Sequence, residues 1–158
     1  MEKTMVDACP CGLGEYASCC QPLHLGQAVA KTAQQLMRSR YSAFAKHDAN
    51  YIQKTTALGQ QSALDMAAIS EWAQANQWLK LEIVEANEKL DKKHAMVEFK
   101  AHYHDGEQAQ THHERSFFVQ HDSLWYFLDP TTDQIMTMKQ TCICGSGKKF
   151  KQCCAAFI

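Results

Sequence analysis

The 158-residue chain has no run of eighteen apolar residues and no basic start followed by a short apolar core, so neither a membrane-spanning helix nor a secretory leader is predicted. It has no marked excess of charge of either sign. A formal net charge of -1 gives the molecule as a whole no reason to seek nucleic acid or an anionic membrane, so any such affinity must be local. It also lacks the patterns that announce the commoner chemistries: no Gly-x-Ser-x-Gly elbow, phosphate loop, His-Glu-x-x-His helix or dinucleotide fingerprint. Evidence for an enzyme is correspondingly thin. The middle of the chain, from residue 21 to residue 141, has no cysteine at all, although the chain has eight.

What is present is ordinary for a folded protein. Hydrophobic residues make up 46% and charged residues 21%, and the length suits one compact domain with small appendages. A cytoplasmic location is expected. In that reducing compartment clustered thiols are better read as metal ligands than as disulfides.

All eight cysteines fall in two terminal clusters. The tail holds Cys142, Cys144, Cys153 and Cys154, a C-x-C pair and an adjacent pair separated by eight residues. The head holds Cys9, Cys11, Cys19 and Cys20 with seven residues between the pairs. Gly12 and Gly14 match Gly145 and Gly147, and Tyr16 matches Phe150, so the two ends form an internal repeat with one residue missing from the head. Four thiolates complete a closed tetrahedral shell, the form of structural zinc; iron uses similar ligand sets and is the alternative. Segments of about twenty residues bury too little to fold alone, whereas structural zinc contributes roughly 10–16 kcal/mol of apparent binding free energy in such sites. Each knuckle is therefore expected to be ordered only with metal bound, with Tyr16 and Phe150 as apolar plugs. His24 has no assigned role, since four thiols already fill the shell.

Between the clusters, helices precede strands. Ala33, Leu36, Met37, Tyr41, Phe44 and Ala45 predict an amphipathic helix over 32–47. A short helix follows over "YIQKTTAL", and Ser62 is read as the cap of a third with Leu64, Ala68, Trp72 and Ala75 on one side. From Trp78 the period becomes two: Leu79, Leu81 and Ile83, then Ala95, Val97, Phe99, Ala101 and Tyr103. Turn signals at 87–93, 105–106 and 121–122 divide four strands ending at Asp129-Pro130. The pattern predicts an α+β fold, an antiparallel meander with helices on one face.

The tail "CICGSGKKFKQCC" resembles the SEC-C motif, known from the end of the translocase ATPase SecA. The resemblance implies that its four cysteines bind zinc and that it forms an interaction module; in SecA this tail contacts the chaperone SecB and the ribosome. "LMRSRYSAF", "ERSFF" and "WYFLD", bracketed by both clusters, resemble the uncharacterised bacterial YchJ family over essentially the whole length. That resemblance implies an NTF2-like curved sheet over 30–135, between a head knuckle at 1–25 and a tail knuckle at 139–158. The head departs from the motif, with one residue fewer, Leu13 in place of Ser146 and no lysine run.

NTF2-like folds often enclose a pocket. Arg40 borders the apolar helix face and Glu114 and Ser116 lie on a strand, so an Arg40–carboxylate ion pair joining helix to sheet is expected, with a ligand pocket as the rival reading. His102, His104, His112 and His113 flank one turn without defined ligand spacing and are read as solvated. A zinc ion with four thiolates carries -2. A metallated tail with Lys139, Lys148, Lys149 and Lys151 and no acid therefore nets +2, and a metallated head with Lys3 against Glu2, Asp7 and Glu15 nets -4. Three functions follow: an adaptor presenting Lys148, Lys149 and Lys151 to an acidic protein; an NTF2-like enzyme or small-molecule binder; and an RNA or ribosome binder acting through the basic knuckle.

Overall fold

The computed structural model describes residues 6–158; the charges counted at Glu2 and Lys3 lie outside them. The principal elements are helices α1 (Gln21–His24), α2 (Ala33–Ala45), α3 (Ala49–Lys54) and α4 (Met66–Ala75), then strands β1 (Gln77–Asn87), β2 (His94–His104), β3 (Ala109–His121) and β4 (Leu124–Leu128). The strands form one antiparallel sheet in the order β1-β2-β3-β4. Among the described residues, no helix is long and apolar enough to cross a membrane.

Helix α2 begins where Thr32 accepts a hydrogen bond from the Gln35 amide, which satisfies one of the free first-turn donors. The next helix covers 49–54, capped by Asp48, rather than 51–58, and a 3-10 segment follows over Leu58–Ala63. The cap of α4 is Asp65, whose carboxylate accepts from the Ala68 amide; Ser62, the expected cap, lies inside that 3-10 segment. Because α4 starts later, Ala73 is its buried residue, Ile69 packs beside α3, and Ala75 faces solvent.

Leu79 is a second correction. It is 51% exposed although the alternating pattern placed it inside. A bulge between Trp78 and Lys80 shifts the pleat by one residue, so Trp78 and Leu81 point inwards and Leu79 points out. A second bulge between Ile83 and Glu85 adds to the bend of β1.

The two sheet faces bury different clusters. Val97, Phe99, Ala101, Phe118, Trp125 and Phe127 meet Leu36, Met37 and Tyr41 of α2 on one face. On the other, Phe117, Val119, Tyr126 and Leu128 meet Ile143, Phe150 and Phe157 of the tail. The head cysteines Cys9, Cys11 and Cys20 belong to the first cluster. Both knuckles are thus packed parts of the molecule.

The tail's seat depends on one glycine. The Gly59 amide donates to the Ile143 carbonyl at 2.7 Å, and a Cβ at residue 59 would stand 2.9 Å from the Ile143 Cα. Only glycine permits that approach without displacing the knuckle.

Candidate metal centres and central cavity

The head and tail knuckles share a backbone despite their different lengths. Cys9 donates its amide to the Gly14 carbonyl at 2.7 Å, and Cys142 donates to that of Lys148 at 2.8 Å. Gly12 and Gly145 donate back to Cys9 and Cys142, at φ of 89° and 88°. Only glycine takes that left-handed conformation readily. A 3-10 turn follows in each, Tyr16–Ser18 and Phe150–Gln152, and delivers the adjacent cysteines. The extra tail residue is absorbed between the glycines and this turn.

Within each knuckle the four sulfurs lie within 4.8 Å of one another. A tetrahedral ion with bonds of about 2.3 Å requires sulfurs about 3.8 Å apart. Cys11–Cys19 and Cys19–Cys20 stand at 3.5 and 4.0 Å, and Cys144–Cys153 and Cys153–Cys154 at 3.6 and 3.8 Å. All eight thiols are free of disulfides. As bare thiols they cannot all ionise. Bonding from Cys20 holds Cys11 down at about 4, while burial, followed by Cys11, pushes Cys19 up to about 12. In the tail, bonds led by Cys142 hold Cys144 low and push Cys154 far up. A central cation removes that conflict, because it stabilises every thiolate at once. Both sets could therefore hold a metal.

The surroundings of the two sets differ. In the tail, the Ser146 hydroxyl lies 3.5 Å from the Cys153 sulfur. Leu13 replaces that serine in the head, where the Ser42 hydroxyl of α2 approaches the Cys9 sulfur at 3.5 Å instead. His94 was not foreseen: fully buried, it spans the 2.9 Å contacts to the Asp91 carboxylate and the 3.3 Å contact to the Cys154 sulfur, and it stacks on Phe157. Asp91 fixes the ring, and the ring holds the Cys154 thiol. Such outer contacts tune metal sites, so H94A is expected to weaken the tail site's metal affinity about 10- to 100-fold. Competition with a chromogenic chelator measures this directly, and the head site should release its metal unchanged.

Two aromatic readings also need revision. Phe150 is a buried plug, whereas Tyr16 is half-buried and bonds the His24 Nδ1 through its hydroxyl at 2.6 Å. His24 therefore has a role: its Nε2 reaches the Ser39 carbonyl at 2.8 Å and its ring meets Tyr51 edge-on, which ties the head to α2 and α3.

On the inner sheet face lies a cavity of about 470 Å³. Arg40, Glu114 and Ser116 all line it, as the pocket reading required. The expected Arg40–Glu114 ion pair does not form. Arg40 Nη1 donates to the Ile52 carbonyl at 3.0 Å and to the hydroxyls of Thr55 and Thr56 at 2.7 and 3.4 Å, and the guanidinium lies 4.3 Å over the Phe127 ring. Burial lowers its pKa to about 10, which still leaves it charged at neutral pH. Glu114 instead bonds the His112 ring and accepts from the Ser116 hydroxyl, each at 2.6 Å. His112 holds the Glu114 carboxyl below the ordinary range and is itself raised by that carboxylate. The other histidines of the group also find local partners: His102 meets Glu82 and Thr111, His113 meets Glu98, and His104 accepts from the Gly106 amide. Among the described residues, only the two cysteine sets converge as metal-ligand groups.

A curved sheet roofed by helices over a cavity, with four-thiol knuckles at both ends, defines an NTF2-like α+β protein carrying a SEC-C tail. Residues 32–130 match the YchJ middle NTF2-like domain and residues 138–156 match the SEC-C motif. The chain belongs to the YchJ family, also designated UPF0225. It is 50% identical to a UPF0225 protein of Haemophilus influenzae (strain PittEE), covering 100% of this chain and 98% of that one. Its fold is similar to the crystal structure of a SEC-C motif containing protein from Psychrobacter arcticus, with TM-score 0.89, 45% identity and coverage of 96% and 97%. A SEC-C motif containing protein from Rhodopseudomonas palustris matches with TM-score 0.72 and 34% identity, over 78% of this chain and 96% of that one.

Proposed function

We propose that this protein is a zinc-stabilised cytoplasmic adaptor whose tail knuckle binds an acidic surface on a protein partner. The observation that carries this reading is the division of the tail into an inner and an outer side. Ile143 and Phe150 face the sheet, while Lys148, Lys149 and Lys151 are all exposed and none pairs with a described carboxylate. Four thiolates leave no open coordination position, so the metal's role is structural, and zinc suits a closed shell of this size. The resemblance to the SEC-C tail suggests a partner among translocase, chaperone or ribosome-associated proteins. The head, with the opposite charge, lacks this basic edge, and its Asp7 pairs with Lys46 of the domain at 2.8 Å.

The test is affinity capture from the protein's own cells with wild type and K148E/K149E/K151E, metal content being measured on both. The expected result is loss of an acidic partner with two zinc ions per chain retained. An unchanged partner set overturns the adaptor reading. Capture of RNA that declines steeply with salt favours ribosome binding instead. Iron in place of zinc corrects the cofactor alone.

A further inference from the structure

We propose that the central cavity binds a small organic monocarboxylate with a flat apolar body, gripped by the free edge of Arg40. The cavity falls within the roughly 300–1,000 Å³ range of small-molecule sites. Its wall is aromatic, formed by Tyr41, Phe44, Trp72, Trp78, Phe99 and Phe127. Trp72 meets Trp78 at 4.9 Å and Phe44 at 5.5 Å, both near perpendicular, so the wall offers ring faces and edges together. Such a lining favours a planar apolar guest.

The polar chemistry selects the charge. Arg40 is 6% exposed, yet no described carboxylate lies within ion-pair distance of it. All three of its hydrogen bonds leave from Nη1. Nε and Nη2 have no protein partner among the described residues, and neither is sealed away from open space. These two nitrogens form the edge of a guanidinium that matches the two oxygens of a carboxylate. Phe127 beneath the guanidinium and the Thr55–Thr56 hydroxyls at its far edge fix its orientation.

Two lining acids could have filled that edge but are engaged elsewhere. Glu114 is held by His112 and Ser116, and Asp129 accepts from the amide and hydroxyl of Thr131 at 2.7 and 2.6 Å. Gln60 holds Asp129 through both backbone polar groups, at 2.8 and 3.0 Å. Their fields also limit the guest. His112, raised by Glu114 and paired with it, offsets that acid, so the guanidinium faces one remaining carboxylate, Asp129, and a guest with one negative charge is opposed less than a phosphate dianion. Tyr41 gives the cavity part of its wall, while its hydroxyl is sealed from solvent with no hydrogen-bond partner among the described residues.

The test uses the full-length, metal-loaded protein and calorimetric titration with the aromatic acids phenylacetate and 2-naphthoate, each against its primary amide. At least one carboxylate is expected to bind about 10- to 100-fold more tightly than its amide, the difference that charge-assisted hydrogen bonds supply. Acetate and inorganic phosphate should not displace it at equal concentration. Arg40→Lys keeps the charge but loses the fork, so it should remove most of that preference. If R40K fails to fold, A68W carries the variant test: Ala68 lies on the α4 side of the cavity, and a large side chain there should block binding while Arg40 stays intact. Equal affinity for acid and amide overturns the proposal, as does the absence of binding by the whole panel up to about 1 mM. Neither result bears on the lysines of the tail, so the two proposals fail separately.

Discussion

Replacing Cys144 with serine should release the tail from the sheet and lower the metal content from two ions per chain to one. Cys144 is 1% exposed, and its sulfur stands 3.6 Å from that of Cys153, so serine cannot restore the thiolate shell. Without the ion the knuckle loses the binding energy that orders it, and its hydrophobic contacts are too few to replace that energy. Ile143 and Phe150 then leave Val119 and Leu128, which all belong to one buried cluster. At about 1.5–3 kcal/mol for each large apolar side chain withdrawn from water, losing the two tail residues alone costs about 3–6 kcal/mol. For a chain of this size that lowers Tm by about 10 °C or more. Limited proteolysis should cut the variant between the end of β4 and the tail cysteines while sparing the domain. A tail that stays protease-resistant at a single metal ion per chain would show that packing, not metal, holds it.

How much of this was legible beforehand follows from what periodicity can report. The meander, the inward row of β2 and the α2 core face were readable because each side chain's direction follows from its own strand or helix period. The bulge at Trp78–Lys80 was not, since nothing in "QWLKLEIV" marks which residue is extra. The cysteine sets were readable from spacing alone. His94 was not, because its sulfur partner lies sixty residues away and only the β2–tail packing joins them. Arg40 was placed correctly at the buried border, but its partner was misassigned: a sequence shows a nearby acid in the pattern, whereas three-dimensional competition gives Glu114 to His112 and Ser116. Ser39 and Ser42 carry the most general lesson. Both are fully buried on the polar side of α2, because α1 and α3 close over Ser39 and the head knuckle over Ser42, on a face that helical periodicity assigns to solvent.

That covered face makes the second large prediction differ from the first: Cys11→Ser should destabilise the whole domain. The head sulfurs lie in the same cluster as Leu36, Met37 and Tyr41, so the knuckle belongs to the main core rather than to an outlying one. Its polar contacts run along one side of α2: Arg38 donates to the Cys11 carbonyl at 3.0 Å, Ser42 meets Cys9, and Lys46 pairs with Asp7. The adjoining side of the same helix carries Met37, Arg40, Tyr41 and Phe44 to the cavity. If the head thiols hold the ion their geometry allows, losing it unsupports the helix that positions Arg40. Where C144S should detach a tail and leave a folded domain, C11S should give one cooperative transition shifted down as a unit. The shift should be about 10–20 °C if about 5 kcal/mol is lost. Carboxylate binding at the cavity should weaken in C11S and persist in C144S, and titrating both variants below their transitions decides it. If C11S melts at the wild-type temperature, the head is an appendage like the tail. The contrast, if found, means that one repeated ligand set serves two ends: at the head it builds the domain, and at the tail it holds out a basic edge.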